Sequence, residues 1–114
     1  MSTIPANAPV ALLRHMIQFP SLSGDEADIA DFMAGHARRD GVEMQRHEDN
    51  VVMSLGTGPD TLLLNTHLDV VPPSADHPYD PFDPVVADGV LYGRGSVDAK
   101  ASGAAMTTAL LTLA

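Results

Sequence analysis

The chain has 114 residues, of which 45% are hydrophobic and 18% charged, values typical of a folded globular protein rather than a disordered one. Fifteen Asp and Glu against six Lys and Arg give a net charge of −9. This charge disfavours nucleic acid and anionic membranes as partners and favours a cation or a cationic ligand. Without cysteine the chain can form neither disulfides nor a thiolate metal site, which is consistent with a reducing cytoplasm.

The first predicted elements are two helices. Residues 9–19 form an amphipathic pattern, and because Arg14 breaks the apolar run and no basic cluster precedes it, we predict neither a secretory signal nor a membrane span. A second helix is predicted after 23-SGDE-26, which has the form of a capping box. In that motif Ser23 caps the helix and Glu26 reaches back to the preceding backbone.

The next predicted elements are strands. The segments 42-VEMQRH-47 and 51-VVMSL-55 have strand patterns on either side of a turn, and the Asp-Gly pair within 85-VVADGVLYG-93 indicates a tight hairpin. The run 61-TLLLNT-66 is apolar at consecutive positions. Because such a run is typical of a strand that is covered on both faces, we predict that it is central in a sheet.

The remaining elements are a loop and a third helix. Residues 72–84 form a long proline-rich loop that Tyr79 and Phe82 are expected to anchor. After the glycine-rich 93-GRGSVD-98, residues 100–114 predict a helix whose small residues allow close approach to a sheet. Helices that alternate with strands around a buried central strand predict an open α/β sandwich. Because the helical pattern continues to the last residue, we expect the chain to be the first part of a larger domain.

The candidate chemistry stands at the end of the predicted central strand, in 62-LLLNTHLDVVPP-73. His67 and Asp69 point to the same side of an extended chain, and α/β folds bind ligands at the carboxyl ends of such strands. An imidazole binds a metal through one nitrogen while a carboxylate holds the other, so Asp69 either orients His67 or is itself a ligand. Asp98 follows a glycine-rich turn, where a carboxylate can bridge two cations. A structural histidine and a helix-capping Asp98 are the alternatives.

These stretches resemble a known family. LLLNTHLDVVPP followed by DPFDPVVADGVLYGRGSVDAK is similar to the amino-terminal catalytic portion of the co-catalytic zinc amidohydrolases and peptidases. This family includes acetylornithine deacetylase, succinyl-diaminopimelate desuccinylase, aminoacylase and glutamate carboxypeptidase. The stretch 19-FPSLSGDE-26 is similar to the family's opening helical connection. The resemblance implies a three-layer α/β sandwich with a central mixed sheet. Residues 1–114 would form the amino-terminal part of its metal-binding domain, without the lid or dimerisation domain.

The resemblance also implies roles for individual residues. His67 would bind one metal, Asp98 would bridge two zinc ions, for which cobalt can substitute, and Asp69 would hold His67 by a hydrogen bond. The peptide bond between Asp98 and Ala99 would be cis. The complete protein would be a cytoplasmic homodimer that acts on a small N-acyl amino acid or a short peptide.

The implied reaction is hydrolysis of an N-acyl amino-acid amide bond, in which zinc polarises the carbonyl group and activates water while a glutamate transfers the proton. In relatives this glutamate belongs to a Glu-Glu pair after the second motif. The glutamates here are Glu26, Glu43 and Glu48, all upstream of His67, so we expect the chain alone to be inactive. The favoured activity of the complete protein is that of an acetylornithine deacetylase. The alternatives within the family are a succinyl-diaminopimelate desuccinylase and a metallo-carboxypeptidase.

Readings from other classes are a nucleotide-binding protein and a non-catalytic binding module. Arg94, Ala99 and Ala101 occupy positions where a phosphate-binding loop needs two glycines and a hydroxyl, which argues against nucleotide binding. For Arg94 and Lys100 we favour ion pairs that support the fold over contacts with substrate. The remaining histidines are predicted to be structural or surface residues: His15, His36, His47 and His77.

Overall fold

The computed structural model describes residues 7–114. Residues 1–6 lie outside the described residues. They are the start of the amino-terminal stretch in which we predicted no secretory signal. The helices are α1 (Ala8–Ile17), α2 (Ala27–His36) and α3 (Lys100–Leu113); the strands are β1 (Val42–His47), β2 (Asn50–Leu55), β3 (Val85–Ala87) and β4 (Val90–Tyr92). Within residues 7–114, no helix is both long enough and apolar enough to cross a lipid bilayer.

The strands form two separate antiparallel hairpins, β1–β2 and β3–β4. The β3–β4 turn is built by Asp88 and Gly89, whose φ angles of 52° and 76° suit the tight turn that joins twisted strands. Tyr92 at the end of this hairpin packs on Tyr79, with ring centroids 4.9 Å apart, and so helps to anchor the long loop. The α/β class, both hairpins and the three helices are thus confirmed.

The prediction of a buried central strand at 61–66 is wrong for the described part of the chain. Leu62 and Leu63 are 84% and 80% exposed, and residues 61–69 are not part of a strand. Pairing begins only at the next residue, Val70, which forms a parallel bridge with Leu22. A consecutive apolar run is buried on both faces only where neighbouring strands and covering layers are present, and residues 7–114 place none beside 61–66. These residues therefore do not form the central mixed sheet of a three-layer sandwich.

The core lies where the helices meet. Its buried cluster contains members from all three helices: Leu12, Met16, Ile29, Met33 and Ala104. The helix α3 packs on α1 rather than on a sheet, with Gly103 and Ala104 buried at this contact, which corrects our expectation for this helix. A Cβ atom added to Gly103 would lie 3.3 Å from Met16 Cε, so the small side chains of α3 allow a close helix–helix approach.

The predicted capping box is also wrong. The residue that precedes α2 is Glu26, and no side chain caps the first turn of this helix. Glu26 Oε1 instead accepts a hydrogen bond from the backbone N–H of Gly24 at 2.7 Å. The hydroxyl of Ser23 is turned toward Asp69, because the chain after α1 pairs with the segment around Val70 before α2 begins.

A stack of rings between α1 and α2 predicts a pH dependence. The ring of Phe32 lies between His15 and His36, with centroids 5.9 Å from each. Burial, followed by the charges of Arg39 and His15, lowers the pKa of His36 below its ordinary value of 6.5. The unfolded chain therefore binds more protons at this residue, and the stability present above pH 6.5 is lost as the pH falls through the lowered pKa. We expect the urea midpoint to decrease less between pH 7 and 5 in His36→Gln than in wild type.

The matched control for this measurement is His47→Gln, which replaces an exposed histidine at the end of β1. This variant should retain the wild-type dependence on pH. An equal loss of stability in His36→Gln and wild type would show that His36 does not contribute to the acid sensitivity of the fold.

Candidate metal centre

The segment 67–70 is held by the loop that follows α1. Val70 N donates to Ser21 O at 3.0 Å, and Ser23 N donates back to Val70 O at 3.2 Å. The hydroxyl of Ser21, which is buried, donates to Leu68 O at 3.0 Å. These three bonds fix the backbone on both sides of residue 69 and so determine where the candidate side chains point.

His67 lies between the two aspartates that the sequence singles out. Its Nδ1 is 3.0 Å from the main-chain oxygen of Asp69 and 3.1 Å from Asp69 Oδ1. Its Nε2 is 3.0 Å from Asp98 Oδ1. The imidazole is about half exposed and the Asp98 side chain is 88% exposed, so the group opens to solvent. The structure thus brings all three predicted site residues together.

The hydrogen bonds around His67 and Asp69 shift the pKa values of both side chains. Partial burial acts to lower the pKa of His67, but the hydrogen bonds to the Asp69 carbonyl and the Asp98 carboxylate, together with the negative charges of both side chains, raise the pKa above 6.5. For Asp69 the largest influence is the hydrogen bond from Ser23, which lowers the pKa of the carboxyl below 3.8. At neutral pH Asp69 is therefore an ionised acceptor for His67.

Ser23 is a residue of this centre that sequence reasoning missed. Its Oγ donates to Asp69 Oδ2 at 2.5 Å, across 46 positions of the chain. The sequence around Ser23 has the pattern of a helix start, and this local pattern led to the capping prediction. Only the pairing of the loop with Val70 reveals the contact.

A glycine-rich turn brings Asp98 to His67. Gly95 has a φ of +84°, and a Cβ atom there would lie 2.6 Å from Val70 Cγ1. The turn therefore lies against the segment 67–70 more closely than a residue with a side chain would allow. The peptide bond between Asp98 and Ala99 is cis, as the resemblance implied.

Lys100 connects this turn to α1, although not by the expected ion pair. The side chain is fully buried, and Nζ donates to the main-chain oxygens of Met16 at 2.9 Å and Phe19 at 2.8 Å. These carbonyl groups lie at the carboxyl end of α1, where the helix dipole favours a cation. Burial lowers the pKa of Lys100 to about 8. The prediction that Lys100 supports the fold is confirmed, but its partners are carbonyl oxygens rather than carboxylates.

Arg94 also lacks the predicted ion pair within residues 7–114. Its Nε atom is buried and has no hydrogen-bond partner there. Arg94 instead lines a cavity of about 280 Å³ together with the candidate site residues. The residues around this cavity come from the two motif regions: His67, Asp69, Val70, Val71 and residues 93–98.

The remaining histidines, which we predicted to be structural or surface residues, do not line this cavity. His77 Nδ1 lies 2.6 Å from the main-chain oxygen of Tyr79, within the long loop. His47 is exposed and lies 3.4 Å from Gln45 Oε1.

The donor atoms around His67 fit part of a metal site. Two ligands at about 2.1 Å from a tetrahedral zinc lie about 3.4 Å apart, and the 3.0 Å between His67 Nε2 and Asp98 Oδ1 is close to this separation. Among the described residues no cluster of three or more His, Cys, Asp or Glu side chains could hold a metal ion. Within residues 7–114 the pair would therefore supply two positions of a coordination sphere and would not complete it.

Comparison with known proteins identifies relatives that share these motifs. The sequence profile of peptidase family M20/M25/M40 matches residues 63–114, the interval that contains all three candidate residues. The succinyl-diaminopimelate desuccinylase of Methylorubrum extorquens is 34% identical over 116 residues, which cover 92% of this chain and 30% of the relative. A protein of the same name from Xanthomonas campestris pv. campestris is 43% identical over 91 residues, covering 78% of this chain and 23% of the relative.

A third relative has a different name. The [LysW]-lysine hydrolase of Deinococcus radiodurans is 43% identical over 103 residues, which cover 88% of this chain and 26% of the relative. The chain thus spans less than a third of the length of these relatives. Similarity to these relatives extends over most of the chain, and the match to the family profile includes both motifs. The resemblance stated from the sequence is therefore confirmed, and the chain belongs to peptidase family M20/M25/M40.

Proposed function

We propose that the full-length protein hydrolyses the amide bond of an N-acyl amino acid in a metal-dependent reaction, with His67 and Asp98 as metal ligands. The observation that carries this proposal is the 3.0 Å approach of His67 Nε2 to Asp98 Oδ1 while Asp69 holds the other ring nitrogen. A three-layer sandwich around a central mixed sheet, a homodimer and a cytoplasmic location belong to the same proposal. These further features rest on the family resemblance.

Each residue of the centre has a defined task in this proposal. Asp69 accepts the Nδ1–H of His67, which leaves the Nε2 lone pair free for a cation. Asp98 supplies a carboxylate at the open side of the cavity. A bound zinc or cobalt ion would act as a Lewis acid toward the scissile carbonyl group. The glutamates of this chain all precede His67, so we assign proton transfer to none of its residues and expect the 114-residue chain alone to show no turnover.

The names of the relatives suggest which substrates to test. Two of them are named as succinyl-diaminopimelate desuccinylases and one as a [LysW]-lysine hydrolase, so succinyl-diaminopimelate and [LysW]-lysine are the first candidates. Acetylornithine, which we favoured from the motifs, is a further candidate of the same chemical type. Short peptides represent the carboxypeptidase alternative.

The test is a substrate panel with metal removal. Full-length protein loaded with zinc or cobalt should release free amine from at least one of these compounds. A chelator should abolish the activity and added metal should restore it, because the reaction needs the Lewis acid. Asp98→Asn, which keeps the size of the side chain but removes its charge, should be inactive. A protein that binds metal and substrate but turns over none of the panel would contradict hydrolysis and support a non-catalytic binding module.

A further inference from the structure

We propose that Ser23 is a positioning residue of the metal centre. Its hydroxyl fixes the Asp69 carboxylate, and that carboxylate holds His67 with Nε2 directed at Asp98. The contacts form a continuous chain, from Ser23 Oγ to Asp69 Oδ2 at 2.5 Å and from Asp69 Oδ1 to His67 Nδ1 at 3.1 Å. This inference rests on the proposed role of His67 as a metal ligand.

The Asp69 carboxylate needs such a partner because it is not enclosed by the protein. Its side chain is 37% exposed, and the terminal torsion of an aspartate has a broad energy minimum. Left free, the carboxylate would rotate and exchange its hydrogen bond to His67 for bonds to water. Ser23 donates to one carboxylate oxygen and leaves the other for the imidazole. The distance of 2.5 Å from Ser23 Oγ to Asp69 Oδ2 is typical of a charge-assisted hydrogen bond from a hydroxyl group to a carboxylate. Such a bond is about twice as strong as one between neutral groups.

The position of the Ser23 hydroxyl is determined by the backbone. Ser23 N donates to Val70 O at 3.2 Å, and Val70 N donates to Ser21 O at 3.0 Å. These bonds hold Ser23 beside the segment that contains Asp69, and Ser21 takes a φ of 34°, in the left-handed region, within this pairing. The alternative task, capping α2, is not performed, since the first turn of that helix has no side-chain cap. The contact with Asp69 is therefore the side-chain interaction that remains for Ser23.

The chemical consequence concerns the orientation of His67. Nδ1 lies 3.0 Å from the main-chain oxygen of Asp69 and 3.1 Å from its carboxylate. As long as the carboxylate stays in place beside the main-chain oxygen, Nδ1 keeps its proton and Nε2 faces the metal position. Partners that orient metal-binding histidines in this way typically affect metal affinity by about 10–100-fold when they are removed. Ser23 acts one step further out, through Asp69, and it also protects the Nδ1 proton from exchange with water by keeping Asp69 in place.

The proposal is tested with Ser23→Ala in the full-length protein. We expect the zinc dissociation constant, measured by competition with a chromophoric chelator, to rise by about 10-fold, the lower end of the range for such partners. We also expect faster exchange with water of the His67 Nδ1 proton in the zinc-loaded protein, observed by NMR and assigned by its absence in His67→Ala. Ser23→Thr retains the hydroxyl and should restore both values. Ser54→Ala, which removes an exposed hydroxyl from β2, should leave both unchanged.

The outcomes separate this proposal from the proposed function. If His67→Ala weakens zinc binding but Ser23→Ala changes neither the affinity nor the proton exchange, the role of Ser23 is overturned and that of His67 stands. If neither substitution affects zinc binding, both proposals are overturned. A loss in Ser23→Ala that Ser23→Thr does not restore would show that the hydroxyl is not responsible, and would also overturn the role of Ser23.

Discussion

Replacing His67 by alanine is expected to abolish amide hydrolysis by the full-length protein and to weaken zinc binding by more than about 100-fold. This loss of affinity is larger than the loss caused by removing a residue that only orients a metal ligand. His67 Nε2 is the nitrogen donor beside Asp98 Oδ1, and without it the centre keeps a single exposed carboxylate. Isothermal titration calorimetry with zinc and a turnover assay on the same preparation measure the two effects. The unfolding temperature of the metal-free protein should be nearly unchanged, because the His67 side chain is about half exposed.

The control for this substitution is His47→Ala, which removes an exposed imidazole from the end of β1. It should bind zinc and turn over substrate as wild type does. Retention of full turnover in His67→Ala would eliminate the metal role of this residue, and with it the proposed function of the centre.

The substitution Gly95→Ala is expected to destabilise the protein by about 2–4 kcal/mol. Gly95 has a φ of +84°, where a residue with a Cβ atom is strained, and the added methyl group would lie 2.6 Å from Val70 Cγ1. Lys100 adds to the crowding, since its Cδ atom would be 3.2 Å away. The turn can relieve the overlap only by moving away from Val70, which would also draw Asp98 away from His67. Urea unfolding of the metal-free protein measures the loss of stability.

Gly58→Ala is the matched control for this prediction. Gly58 has no atom within 4 Å of the position that a Cβ would take and lies in an exposed loop, so the change should alter stability by less than about 0.5 kcal/mol. Equal unfolding midpoints for Gly95→Ala and Gly58→Ala would show that the close approach of the turn to Val70 does not stabilise the fold.

Local chemistry explains which parts of the fold could be predicted. The β3–β4 hairpin follows from Asp88 and Gly89, because the φ angles of its turn are determined by the two residues within it. The segment 61–66 behaves differently. Its consecutive apolar residues are typical of a strand that is buried on both faces. Such burial depends on neighbouring elements that residues 7–114 do not place there. A strand pattern therefore predicts the preferred conformation of a segment more reliably than its position in a sheet.

The same distinction applies to the candidate site. His67 and Asp69 could be paired from their spacing, since two positions on an extended chain share a side. Asp98 was a candidate from the glycine-rich turn that precedes it, and the family resemblance then implied a metal role for it. The structure shows that it lies beside His67. The partners of Ser23 and Lys100 could not be predicted, because both contacts join positions far apart in the chain and leave no local pattern.

The burial of Lys100 has a consequence for how the protein can be divided. The profile match begins at residue 63, so an expression fragment designed from it would contain both motifs. That fragment would lack the carbonyl groups of Met16 and Phe19, which accept the two hydrogen bonds of a fully buried ammonium group. It would also lack α1, against which α3 packs, so the helix that begins with Lys100 would lose its packing partner as well as these acceptors. A fragment that keeps the contacts of Lys100 must therefore include α1, which begins at Ala8, although the match to the family profile begins only at residue 63.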